Sequence, residues 1–203
     1  MVSVDILVYE YLERGSLDTM LSKDVKAKEF GRVNTVKGVA HASSYMHHDC
    51  LPAIVHGDIS SKNNLLDSEY EASVSDFGTA KFLKPDSSNW TGLAGTYGYL
   101  GPELAYGKEL AAHQMPIGDV LDQRISPPTH QVAGGVLTLV KIAFSCLSAN
   151  PHSRPTMQQV SQQLETQRPA LSKPLVLITC GELLAHNGFT KATFDSQNVN
   201  IRK

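Results

Sequence analysis

The chain has 203 residues, 41% hydrophobic, 19% charged and 7% aromatic, a balance that suits one domain or part of a larger one and excludes a long disordered tail. Eighteen Lys+Arg against 20 Asp+Glu leave a formal net charge of −2, without the basic excess that nucleic-acid or anionic-lipid binding demands. Three dispersed cysteines, Cys50, Cys146 and Cys180, make neither a disulfide framework nor a thiolate zinc site, and point to a reducing, cytosolic setting.

In chain order, Met1–Asp5 lacks the basic and apolar regions of a secretion signal and reads as strand interior. Ile6–Tyr9 is a β-favouring run that the polar stretch Glu10–Gly15 stops. Ser16 offers an N-cap to a short helix with Leu17, Met20 and Leu21 on one face. From Glu29 to His48, the spacing of Phe30, Val33, Val36, Val39, Ala40, Ser43, Ser44 and Met46 predicts a long helix with one buried face. His47, His48, Asp49 and Cys50 are adjacent and cannot easily converge on one metal ion, so they read as a polar helix end. Leu51–Ala53 turns the chain, and Ile54-Val55, Leu65-Leu66 and Ala72–Val74 are short strands between polar loops. Asp76 to about Gly107 reads as a long functional loop. Residues 134–149 return to helix, with Val136, Leu139, Val140, Ala143, Phe144 and Leu147 inward, and Thr156 caps a last helix carrying Met157, Val160 and Leu164. Pro169 and Pro174 interrupt the chain beyond that helix, and Leu175–Ile178 is the one apolar patch there. No run reaches the roughly 18 apolar residues of a membrane-spanning helix, and no internal repeat is visible.

The chemistry concentrates in His56-Gly57-Asp58-Ile59-Ser60-Ser61-Lys62-Asn63, with Asp76-Phe77-Gly78 beginning after a further 12 residues. Phosphoryl transfer needs a carboxylate near the incoming hydroxyl and oxygen ligands for Mg²⁺, and D-x-x-x-x-N followed by D-F-G supplies both. The joint spacing is far more specific than either half. With Leu7–Leu12, Tyr45–Cys50, Ser75–Lys81, Gly95–Tyr99 and Ser153–Met157, the chain resembles the cytoplasmic kinase domain of plant leucine-rich-repeat receptor-like serine/threonine kinases. Within that group it resembles the relatives of the receptor named for interacting with the male-discoverer receptor.

The resemblance implies an α+β, protein-kinase-like fold, mostly the helical C-terminal lobe. Residues 1–15 would be a remnant of the small lobe with its hinge, 16–166 the large lobe with an internal deletion near 104–118, and 167–203 a tail. It implies ATP and Mg²⁺ as cofactors and protein substrates with Ser/Thr acceptors, receptor kinases being possible partners. Asp58 would accept the substrate proton, and Asn63 and Asp76 would hold Mg²⁺. Lys62 lies close to Ser60, which occupies the position of the family's phosphate-touching lysine. Glu10, Tyr11 and Leu12 would form the adenine hinge behind Tyr9, with Leu65, Asn63 and Asp76 completing the nucleotide site. His56 would brace the loop and Phe77 would pack beneath Asp76. Thr96 favours Ser/Thr acceptors, and Ser87, Ser88, Thr91 and Thr96 are hydroxyls an added phosphate could use to order the loop. Glu103 and Arg154 would form a buried ion pair.

The pattern is incomplete within these residues. The family's Gly-rich phosphate loop, strand lysine and helix glutamate have no counterpart, and the 15-residue interval 104–118 stands where the family carries its central helix. Gly57 replaces the arginine before Asp58, and Gly101-Pro102-Glu103 stands for Ala-Pro-Glu. Weak nucleotide affinity is the expectation, with a catalytically inactive kinase-like binding module or a non-functional gene fragment as the alternative to a kinase.

Overall fold

The computed structural model describes residues 10–23, 29–83, 115–121, 128–148, 150–166, 171 and 173–185. Ile6–Tyr9, Ser87, Ser88, Thr91, Thr96 and Glu103 lie outside the described residues. The helices are α1 (Leu17–Lys23), α2 (Glu29–His48), α3 (Ile117–Val120), α4 (His130–Cys146), α5 (Met157–Glu165) and α6 (Cys180–Ala185). The strands are β1 (Gly15–Ser16), β2 (Ile54–Val55), β3 (Asn64–Leu66), β4 (Ala72–Val74) and β5 (Lys81–Phe82).

One antiparallel sheet has the order β1-β3-β4, and β2 pairs with β5 in a second. Three predicted strands are thus present, and two arise where the sequence reads as loop. Gly15 takes a left-handed φ of 67°, which glycine adopts without a Cβ penalty, so the loop can turn directly into a strand paired with Leu66. Ser16 still caps α1: its Oγ accepts the Thr19 N–H at 3.2 Å. Lys81–Phe82 carries no alternation and is held as a strand only by Ile54–Val55 opposite.

The long helix forms with the predicted bounds, but its inner face is shifted. Val33, Ala40, Ser43 and Met46 are buried as expected, whereas Val36 is exposed and Thr35 is fully buried. A hydrogen bond explains the inversion, because Thr35 Oγ1 donates to the Tyr70 carbonyl at 3.1 Å, which satisfies a polar group that burial alone would penalise. Gly38 lets α2 approach β4 closely: a Cβ there would lie 3.3 Å from Ala72 Cβ.

Helix α4 begins at His130, four residues before the predicted start, since Thr129 and Pro128 bound it. Ala143 and Leu147, expected inward, are exposed, and Val132, Ala133, Leu137 and Ile142 are buried instead. The helix buries apolar residues on more than one side because it serves two clusters. Ala133, Leu137 and Val140 pack with Ile117, Leu175, Cys180 and Leu183, while Ile142 packs with Ala40, Val160 and Leu164. The segment read as a tail from residue 167 thus contributes buried side chains to the first cluster. Helix α5 starts in a capping box in which Thr156 Oγ1 accepts the Gln159 N–H and Gln159 Oε1 accepts the Thr156 N–H.

Two exposed acids are tied to cations. Lys37 and His41 of α2 hold Glu165 below the usual carboxylate range, chiefly through their hydrogen bonds. Lys173 and the Thr179 N–H bring Glu182 down to about 2. A depressed carboxylate contributes stability above its unfolded pKa, and that contribution is lost as pH falls through the folded value. The difference in stability between the wild type and Glu182→Gln is therefore expected to be full at neutral pH and to vanish between about pH 4.5 and about 2. Urea titrations of both chains at pH 7 and in this acid window measure it, and a difference that stays constant contradicts the assignment.

Candidate active site

Residues 56–63, where the sequence places the proton acceptor, hang between the ends of β2 and β3. β2 delivers His56, which is 1% exposed. Its Nε2 lies 2.9 Å from the Ser75 carbonyl and its Nδ1 3.3 Å from the Asp58 N–H. A carbonyl can only accept and an N–H can only donate, so the partners assign the neutral tautomer protonated at Nε2. The bland element of the motif is thus a bracket joining the loop that carries Asp58 to the segment that carries Asp76.

Asn63 closes the loop from the other end. Its Nδ2 donates to the Asp58 carbonyl at 3.0 Å and to Asp58 Oδ2 at 3.1 Å. The Asn63 carbonyl in turn accepts the Ser75 N–H at 2.8 Å and the Ser75 hydroxyl at 3.0 Å. Ser75 therefore holds His56 through its carbonyl and Asn63 through its N–H and hydroxyl, a role that the D-x-x-x-x-N and D-F-G spacing does not signal. Ser61 Oγ donates to Asp18 Oδ1 at 3.2 Å and Ser61 O accepts the Asp18 N–H at 2.9 Å, which ties the loop to α1.

Asp76 has φ 61° and ψ 69° and its Oδ1 accepts the Gly78 N–H at 3.3 Å. The left-handed region costs a non-glycine residue roughly 1–2 kcal/mol, and Asp tolerates it because its side chain can bond the local backbone. A 3₁₀ turn, Phe77–Thr79, comes next. Phe77 meets His56 edge to face, with centroids 4.8 Å apart, and is 49% exposed, so it packs on the histidine rather than being enclosed beneath Asp76.

Gly57 explains how close the two segments come. It has φ 84°, and a Cβ there would lie 2.9 Å from the Thr79 carbonyl oxygen, while Thr79 Oγ1 donates to the His56 carbonyl at 2.9 Å. The arginine that the resemblance places here carries the same Cβ, so its accommodation requires the Phe77–Thr79 turn to sit farther off. Gly57→Ala is expected to lower the stability by about 1–3 kcal/mol. Urea denaturation checks this, and an unchanged midpoint contradicts the close approach.

The remaining expected residues are spread around this centre. Leu65 is half-buried in the central strand β3, opposite Ser16 and Ser73. Glu10 and Tyr11 are exposed, and the Leu12 carbonyl accepts the Gly15 N–H at 3.1 Å. The Arg14 N–H bonds the Leu66 carbonyl at 3.1 Å, so the segment that carries Glu10, Tyr11 and Leu12 runs into the strand beside Leu65. Lys62 is exposed between Ser61 and Asn63. Arg154 Nε donates to the Ser148 carbonyl at 2.9 Å. At the end of α2, burial and the neighbouring His48 hold His47 below the ordinary histidine range.

The donor chemistry fits Mg²⁺ held jointly with phosphate. Asn63 spends its Nδ2 on Asp58, which leaves Oδ1 as its oxygen for a hard cation, and Asp76 keeps Oδ2 beyond the bond from Gly78. Among the described residues, no group of three or more His, Cys, Asp or Glu is arranged to hold a metal by itself. Two oxygen ligands completed by phosphate and water are the usual environment of this ion.

The sequence profile described as Protein kinase domain matches residues 3–117, more than half of the chain. The chain belongs to the protein kinase family. It is 45% identical over 191 residues to the MDIS1-interacting receptor like kinase 2 of Arabidopsis thaliana, an alignment covering 76% of this chain and 18% of that protein. It is 34% identical over 201 residues to the LRR receptor-like serine/threonine-protein kinase FEI 2 of the same plant, covering 80% and 34%. The chain thus spans a fifth to a third of the length of these two receptor-like kinases. In three dimensions it resembles the pseudokinase domain of BIR2, an immune regulator of the RLK/Pelle family, with a TM-score of 0.59 and 22% identity, over 77% of this chain and 58% of that one. That likeness shows the protein kinase fold.

Proposed function

We propose that this chain carries the catalytic loop and metal-binding segment of a receptor-like serine/threonine kinase, transferring the γ-phosphoryl group of ATP to hydroxyls of protein substrates. The observation that carries the reading is the bonded frame His56–Ser75–Asn63–Asp58, which fixes the proton acceptor relative to the segment bearing Asp76.

Asp58 would orient the acceptor hydroxyl and take its proton, its carboxylate steered by Asn63 Nδ2. Asn63 Oδ1 and Asp76 would hold Mg²⁺, which when bound supplies charge neutralisation on the phosphates. Holding these side chains before the reactants arrive is itself catalytic, because misplacement of reacting groups is among the costliest faults in phosphoryl transfer. Lys62, exposed beside Asn63, would reach toward the transferred group. Glu10, Tyr11, Leu12 and Leu65 would meet the adenine end. Among the described residues no helix is long and apolar enough to cross a membrane. A cytoplasmic place beside receptor-kinase partners fits the relatives' type.

Incubating the chain with Mg²⁺ and radiolabelled ATP tests the reading, with a protein rich in Ser and Thr as acceptor. Label on Ser and Thr that falls to background in Asp58→Asn is the expected result. No transfer, or equal transfer by both chains, favours the second reading, a catalytically inactive kinase-like binding module. The observation behind that second reading is internal to the chain: the 15 residues 104–118 stand where the family carries its central helix.

A further inference from the structure

We propose that residues 173–185 form a strap that clamps residues 115–121 onto α4 and opens as one unit, separately from the catalytic-loop half. Two backbone hydrogen bonds join the strap to its partner: the Ile117 N–H donates to the Ile178 carbonyl at 2.8 Å and the Cys180 N–H to the Met115 carbonyl at 2.9 Å, which together make the antiparallel bridge between Pro116 and Thr179. Leu175, Cys180 and Leu183 are each at most 4% exposed and enclose Ile117 against Ala133, Leu137 and Val140.

A six-residue helix is too short to stand in water by itself, so α6 exists through its docking and its cap. The Glu182 N–H donates to Thr179 Oγ1 at 3.2 Å and the Thr179 N–H to Glu182 Oε2 at 2.9 Å. Lys173 Nζ lies 2.8 Å from both Glu182 oxygens. The strap's apolar cluster contains no residue of the loop 56–63 and none of the separate cluster of Met20 and Leu66. Proteins open in contiguous units of this kind, each with its own buried set.

Native-state amide exchange of the full chain in increasing urea tests the proposal independently of any activity. The Ile117, Cys180 and Leu183 amides are expected to merge into a single opening below that of the Ser75 amide. In Glu182→Ala, which alters only an exposed cap and ion pair, the three strap amides are expected to exchange about fivefold to tenfold faster, with Ser75 unchanged. An Ile117 amide unmoved by Glu182→Ala overturns the clamp. Equal acceleration of Ser75 overturns the separate opening.

Discussion

Leu66→Ala is expected to lower the unfolding free energy by about 3 kcal/mol, within the range of roughly 2–5 kcal/mol for a buried leucine whose site cannot collapse. Leu66 is completely buried in the central strand of the three-stranded sheet, paired with Gly15 on one side and Ala72 on the other. Met20, Leu17, Leu21 and Tyr70 pack with it, and both flanking strands are fixed by backbone hydrogen bonds, so little can move in to fill the space. Against a total of about 5–15 kcal/mol for an ordinary domain, this loss is large. Urea denaturation should show the midpoint falling at constant slope. Leu51→Ala is the matched control: Leu51 is 96% exposed, and its loss should change stability by no more than about 0.5 kcal/mol. Equal effects at the two positions contradict the packing described.

Asn63→Ala is expected to weaken Mg²⁺-nucleotide binding by about tenfold or more, since hydrogen bonds to charged groups contribute roughly 1.5–3 kcal/mol each. Two losses combine. The Asp58 carboxylate and carbonyl lose the Nδ2 donor that holds them, and in the proposed site Mg²⁺ would lose an oxygen ligand. Asn63→Asp separates these contributions, because it keeps an oxygen for the metal but removes the donor and sets a like charge beside Asp58. Calorimetric titration with Mg²⁺-ADP should therefore rank wild type above Asn63→Asp above Asn63→Ala. If Asn63→Ala binds as the wild type does, Asn63 is only a structural strut of the loop.

Much of this was legible in the sequence because local chemistry and tertiary context agreed. The D-x-x-x-x-N and D-F-G spacing located Asp58, Asn63 and Asp76, and the structure joins their segments through His56 and Ser75. Thr156 as the cap of the last helix and the three short strands were likewise visible as local patterns. The features that were not legible depend on distant partners. Thr35 is inward only because the Tyr70 carbonyl awaits it, and Lys81–Phe82 is a strand only because Ile54–Val55 lies opposite. Ser75 acts partly through backbone groups that every residue possesses, and its hydroxyl bonds a carbonyl twelve residues away. Gly57 read as the loss of an arginine, and its left-handed backbone against Thr79 adds a positive reason for glycine there. Leu175, Cys180 and Leu183 looked like part of a tail because the face of α4 that buries them is thirty to fifty residues away.

Thermal melting with and without Mg²⁺-ATP tests the central claim most directly, since a ligand that binds only the folded chain at 100 times its dissociation constant adds about 2.7 kcal/mol. A cooperative transition that moves up with Mg²⁺-ATP, but not in Asp76→Asn, is the predicted result. A wild-type transition indifferent to Mg²⁺-ATP contradicts the assignment of Asn63 and Asp76 to a nucleotide site.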